Sequence, residues 1–177
     1  MSEEVFGAFS QQAAIAGHFE RDASLTLTWL PQYIDEFPKA INSIPLKWNS
    51  CKFVKDAQIN VPEQFGVYCF SVDLGVPFPD RMHLPLYIGK AADQFLRERY
   101  QDYLQEKGNI KGRKKVVFML NKYKNCLTFW WAELPLVYVE TVERHLQMCC
   151  EPPCNDRFPS RERFWGKAFD LVPEGDE

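Results

Sequence analysis

Phe65-Gly-Val-Tyr-Cys-Phe-Ser-Val72 and, after an insert, Pro85-Leu-Tyr-Ile-Gly89 decide the fold. Both runs are rich in aromatic and β-branched residues, and both read as strands. The insert between them, Asp73 to Leu84, carries Gly75, Pro77 and Pro79 and reads as turns. Two strands joined in this way are expected to pair antiparallel. Downstream, Asp93 is expected to cap a helix running to Glu106. Its apolar positions are Phe95, Leu96, Tyr100, Tyr103 and Leu104, one buried stripe. A basic loop, Lys107–Lys115, follows. Val116–Leu120 and Leu127–Ala132 read as two strands around the Lys122-Tyr-Lys-Asn125 turn. A last helix is expected from Pro135 to Cys150, with Tyr138, Val142, Leu146 and Cys150 as its core stripe and Pro152-Pro153 as its stop.

Upstream of this block the signals are more broken. Glu4–His18 has helical spacing, and Ser24 could cap a second helix. Pro31, Pro38 and Pro45 cut the following stretch into short pieces, and Lys52–Gln58 reads as an edge strand. The expected class is therefore α/β of the α+β kind: a small, mainly antiparallel central sheet flanked by helices. Residues 1–62 are read as an N-terminal extension packed on that core, and 63–177 as the main domain with a C-terminal tail.

Composition narrows the function classes. The chain has 177 residues, 46% hydrophobic and 25% charged, which excludes a disordered or fibrous protein. No apolar run reaches the ~18 residues that a membrane span needs. The acidic N-terminus Met1-Ser2-Glu3-Glu4 lacks a secretory n-region, so a soluble, cytoplasmic protein with no membrane partner is expected. Six cysteines, at 51, 69, 126, 149, 150 and 154, include no Cys-x-x-Cys pair and read as reduced thiols. Net charge is -3, but residues 81–125 hold 11 Lys/Arg against 4 Asp/Glu, between two acidic flanks. A basic middle of this kind reads as a phosphate-contacting face or as a solvated lysine loop.

Gly66-Val-Tyr68 on one strand and Tyr87-Ile-Gly89 on the next resemble the paired strand motifs of the GIY-YIG nuclease superfamily. The extended run Tyr87-Ile-Gly-Lys-Ala91 is similar to the form in its excision-repair member. Leu96-x-x-Arg99-x-x-x-Tyr103, a helical Glu143 and Asn155 then follow in the family's order. The resemblance covers about residues 63–157. Two departures stand out: the insert at 73–84 is long for the family, and Arg97 competes with Arg99 for the helical arginine.

The resemblance implies a site built from Tyr68, Tyr87, Lys90, Arg99, Glu143 and Asn155, with Tyr103 and Arg97 as supporting candidates. Cleaving a phosphodiester requires neutralising its charge, activating water and stabilising the leaving oxyanion. Glu143 offers a hard oxygen ligand for Mg²⁺ or Mn²⁺. Outside the pattern it would read as an ordinary solvent-facing glutamate. Arg99 would clamp the phosphate. Tyr68 would help to deprotonate water, with Lys90 as the cation that favours its anion, and Tyr87 would orient water or phosphate. Asn155 would fix the local geometry. Lys111, Arg113, Lys114, Lys115, Lys122 and Lys124 are the expected DNA contacts. The implied function is a metal-dependent DNA endonuclease acting on double-stranded DNA. It is expected to stand alone, with a restriction-type form and a homodimer both left open. A repair or structure-selective nuclease and a non-catalytic nucleic-acid-binding module are the alternatives.

Overall fold

The computed structural model describes residues 28–41, 44–73, 83–109 and 111–156. The expected helices at Glu4–His18 and after Ser24, and most of the turn-rich insert, lie outside the described residues. The elements in chain order are β1 (Thr28–Trp29), α1 (Pro31–Ala40), β2 (Asn49–Lys52), a 3₁₀ helix (Lys55–Asn60), β3 (Gly66–Asp73) and β4 (His83–Ala91). They continue with α2 (Leu96–Glu106), α3 (Lys114–Lys122), β5 (Leu127–Glu133), α4 (Leu136–Cys149) and β6 (Cys150–Glu151). A four-stranded antiparallel sheet in the order β2-β5-β3-β4 forms the centre, and β1 and β6 make a separate two-stranded ribbon. The mixed α+β class expected from the strand and helix order is thus what the chain adopts. Among the described residues no helix is long and apolar enough to cross a membrane.

Strand β3 is central, and seven of its eight residues are buried or half-buried, as a strand covered on both faces must be. Alternation sends Tyr68, Phe70 and Val72 to one face, where Tyr100 and Tyr103 of α2 and Val116, Met119 and Leu120 of α3 complete the larger core. Val67 goes to the other face and packs with Ala132, Val139 and Val142 under α4. Tyr68 lies opposite Gly89, and Phe70 opposite Tyr87; Leu86 is the extra residue of a bulge before Ser71 pairs with Pro85. Both motif glycines have steric reasons. A Cβ at Gly66 would overlap the Ala132 carbonyl, and one at Gly89 would lie 2.5 Å from the Tyr68 hydroxyl oxygen.

Several boundaries differ from the sequence reading. Lys114–Lys122 is a helix, not a strand. Val116, Met119 and Leu120 fall on one helical face, and the dense run Val116–Leu120 hid that period. The edge strand of the N-terminal part is Asn49–Lys52, and Lys55–Asn60 coils as 3₁₀. This strand pairs with β5, so the stretch read as an extension supplies one edge of the central sheet. Pro31 does not break the chain but starts α1 at its first turn, where its missing N–H costs nothing.

Helix α2 begins after Phe95, not after Asp93. The Glu98 carboxylate accepts the Phe95 N–H at 2.7 Å, and the Gln64 and Pro62 carbonyls accept those of Leu96 and Arg97. The buried stripe of α4 is Val139 and Val142, while Tyr138 stands 40% exposed. The phase is set by Val139 and Val142 docking on Val67 and Ala132. All six cysteines are free thiols. Burial pushes Cys149 up to about 11 and Cys154 up to about 12, so both stay protonated. Among the described residues no three His, Cys, Asp or Glu side chains gather as a metal cluster.

Candidate active site

The edge strand β4 organises the site. Its free side is closed by Asn155, whose Oδ1 accepts the Ile88 N–H at 2.9 Å and whose Nδ2 donates to the Ile88 carbonyl at 2.8 Å. The amide thus replaces a neighbouring strand at one residue. Gln147 adds a second donor to the Ile88 carbonyl at 3.2 Å and another to Glu143 Oε1 at 3.3 Å. Lys115 Nζ donates to the Asn155 carbonyl at 3.0 Å and lies 3.4 Å from Asp156. The segment after α4 is therefore fastened to β4 and α3 together.

Lys90 and Glu143 meet on the α4 side of the sheet. Lys90 pairs in register with Val67, and its ammonium lies 3.4 Å from both Glu143 and Glu140. The Glu143 side chain is 18% exposed, whereas Glu140 is almost fully solvated. Burial raises the Glu143 carboxyl above its ordinary range, and the Lys90 and Arg99 charges oppose that rise.

The tyrosines occupy the opposite face. Tyr68 is buried, with its hydroxyl 2.8 Å from that of Tyr103. Its ring stacks on Tyr87 at 6.3 Å between centroids. Burial, with a smaller contribution from Tyr87, raises the Tyr68 hydroxyl well above the normal phenol range; Tyr103 is raised likewise. A buried phenol of this kind is protonated at neutral pH, which disfavours the expected role of Tyr68 as the base. Lys90 cannot serve as its activating cation either, because it projects to the other face, into the two glutamates.

Arg99 joins the two groups. It lies near enough to Tyr68 and to Glu143 for its charge to favour the anion of each. Among the described residues its one ion pair is a long 3.8 Å approach of Nη1 to Asp102. Its Nε is buried without a hydrogen-bond partner among the described residues. The other buried orphan among the described residues, Trp131 Nε1, belongs to the aromatic core. Arg97 is placed elsewhere. Its Nε donates to the Val61 carbonyl at 2.7 Å and Nη1 bonds Glu63, so it staples α2 to the segment before β3.

The basic residues divide. Arg113 is exposed but held by hydrogen bonds to Glu106 and Tyr87. Lys115 is tied to Asn155 and Asp156, and Lys122 rests over the Phe118 ring at the far end of α3. Lys111, Lys114 and Lys124 are exposed and form no ion pair among the described residues. Spacing gave no sign of Glu106 or the Arg113–Tyr87 contact, since these partners are brought together by the fold. Glu140 and Gln147, at i−3 and i+4 from Glu143, were legible as helical neighbours, though not the Gln147 bond to Ile88. Comparison with protein-family models, curated proteins and solved structures returns no match to the chain.

Proposed function

We propose that the chain is a metal-dependent endonuclease that hydrolyses phosphodiester bonds in double-stranded DNA. The observation that carries this reading is Arg99, whose Nε is buried with no partner among the described residues and whose charge reaches both Tyr68 and Glu143. An orphaned cationic donor beside a half-buried carboxylate is a socket for an anion, and a phosphate oxygen satisfies it. The residue order that resembles the GIY-YIG superfamily supports the same reading.

The donor set fits a hard divalent ion that takes one protein carboxylate and keeps most of its water, as Mg²⁺ does. Glu143 would hold it. When bound, such an ion polarises the phosphate and steadies the leaving oxyanion. The protein's own contribution is distributed as follows. Arg99 grips and orients the phosphate. Lys90 balances the Glu143 charge and offers a second cation beside it. Tyr87, the half-buried member of the tyrosine cluster, is the one whose hydroxyl can meet substrate. Tyr68 and Tyr103 stay protonated beneath it and hold its ring in place. Asn155 fixes the β4 edge and touches no substrate.

Plasmid cleavage in Mg²⁺ tests this reading. Arg99→Met should lower the rate by about 10²–10³-fold, the cost of losing one preorganised charge stabiliser, with an unchanged melting temperature. Wild-type protein that leaves plasmid intact in both Mg²⁺ and Mn²⁺ would sink the proposal.

A further inference from the structure

Arg113 has no place in the resemblance, yet it is the basic side chain most completely tied to the tyrosine cluster. Its backbone N–H and its Nε both donate to Glu106 Oε1 at 3.0 Å, and Nη2 donates to Oε2 at 2.7 Å. Nη1 donates to the Tyr87 hydroxyl at 3.0 Å. The guanidinium carbon lies 5.2 Å from the Tyr103 ring centre and 5.7 Å from that of Tyr87, within cation–π range of both. The turn that delivers it is closely built. Gly112 N–H donates to the Asn109 carbonyl at 2.9 Å, and Asn109 Oδ1 accepts the Lys111 N–H at 3.0 Å. A Cβ at Gly112 would come within 3.0 Å of both the Asn109 carbonyl and Val117.

The chemistry of the two groups fixes the proton. A phenol hydroxyl has one hydrogen to donate, and arginine has only donors. Arg113 therefore fills an acceptor site on Tyr87 and leaves the Tyr87 hydrogen directed elsewhere. Among the described residues no protein group accepts that hydrogen. We infer that Arg113, braced by Glu106, is the positioning residue of Tyr87: it holds the hydroxyl oxygen as an acceptor and turns its hydrogen toward the scissile phosphate or its attacking water. This rests on the nuclease reading. It removes Arg113 from the DNA-contacting set.

The test uses the full chain and four variants: Arg113→Met, Glu106→Gln, Tyr87→Phe and Arg113→Met combined with Tyr87→Phe. Arg113→Met should lower kcat by about 10–100-fold, the usual size of a lost orienting contact. KM, DNA affinity and the slope of log affinity against log salt should hold. In the Tyr87→Phe background the same change should add nothing. Weaker binding with a salt slope flatter by about 0.9 would make Arg113 a phosphate contact and overturn the inference. Penalties that add in the double variant would overturn it as well.

A second readout needs no activity. In protein carrying ¹³C-labelled tyrosine, the Tyr87 resonance is identified by its loss in Tyr87→Phe. It should move in Arg113→Met and in Glu106→Gln, and stay in place in Lys114→Ala. A Tyr87 signal indifferent to Arg113 and Glu106 would overturn the inference. Were wild type inactive, the nuclease reading would fall, and this signal alone would still decide whether Arg113 holds Tyr87. Were Arg113→Met to unfold, Glu106→Gln carries both comparisons.

Discussion

Burial decides what Tyr68 and Glu143 can do. At Tyr68 it holds the phenol protonated, so the hydroxyl works as a hydrogen-bonding group. Tyr68→Phe should therefore slow cleavage without moving the pH–rate profile, and cost about 1 kcal/mol of stability through the lost bond to Tyr103. An alkaline limb that shifts in this variant would restore Tyr68 as a titrating base. At Glu143 burial raises the carboxyl pKa in the folded state above its unfolded value. The folded protein then binds the proton more tightly than the unfolded chain, so the stabilisation from this group exists at low pH. It is lost as pH rises through the folded pKa. Ionised Glu143 is a cost at neutral pH. One outcome follows: metal-free Glu143→Gln melts no lower than wild type at neutral pH. A clear drop in its melting temperature would contradict the sign of this argument.

At the scale of elements, the β3–β4 hairpin was legible because its residues are constrained twice. They alternate as a strand must, and Gly66 and Gly89 stand where a side chain would strike the Ala132 carbonyl or the Tyr68 ring. Gly89→Ala should cost about 1–3 kcal/mol by overpacking and should displace Tyr68, read by chemical denaturation. Helix α3 was not legible. Five consecutive apolar residues carry no period, and its face is chosen by the tyrosines and phenylalanines of the sheet below. The start of α2 was hidden too, since its first amides are capped by carbonyls of residues 62 and 64. Asn155 was legible only by its place in the residue order. What it does, replacing a strand at the β4 edge, is a tertiary fact. Asn155→Ala leaves the Ile88 N–H without its partner and weakens the satisfaction of the carbonyl. It should destabilise the protein by about 1–3 kcal/mol. Asn155→Asp should fail to rescue, because a carboxylate cannot donate to that carbonyl.

At the scale of the whole molecule, the charge pattern foretold a basic face but not its division of labour. Arg113 and Lys115, though exposed, are tied to Tyr87 and Asn155, and Lys122 lies over a ring, while Lys111, Lys114 and Lys124 form no ion pair among the described residues. Lys114→Ala should weaken duplex binding and flatten the salt slope by roughly 0.9. An unchanged slope would leave these lysines as a solubility surface. The candidate site itself spans both faces of the sheet at the β4 edge: tyrosines beneath, Lys90 and Glu143 above, and Arg99 acting on both. No spacing rule could have shown which face each group occupies. In the proposed nuclease this arrangement cleaves DNA through the Glu143 carboxylate. The direct measurement is the initial rate of supercoiled-plasmid cleavage in saturating Mg²⁺, wild type beside Glu143→Gln. Glu143→Gln keeps the side chain's shape and removes its charge. The account predicts a cleaving wild type and a loss of at least about a hundredfold in the variant; a Glu143→Gln protein that cuts at near the wild-type rate would contradict it.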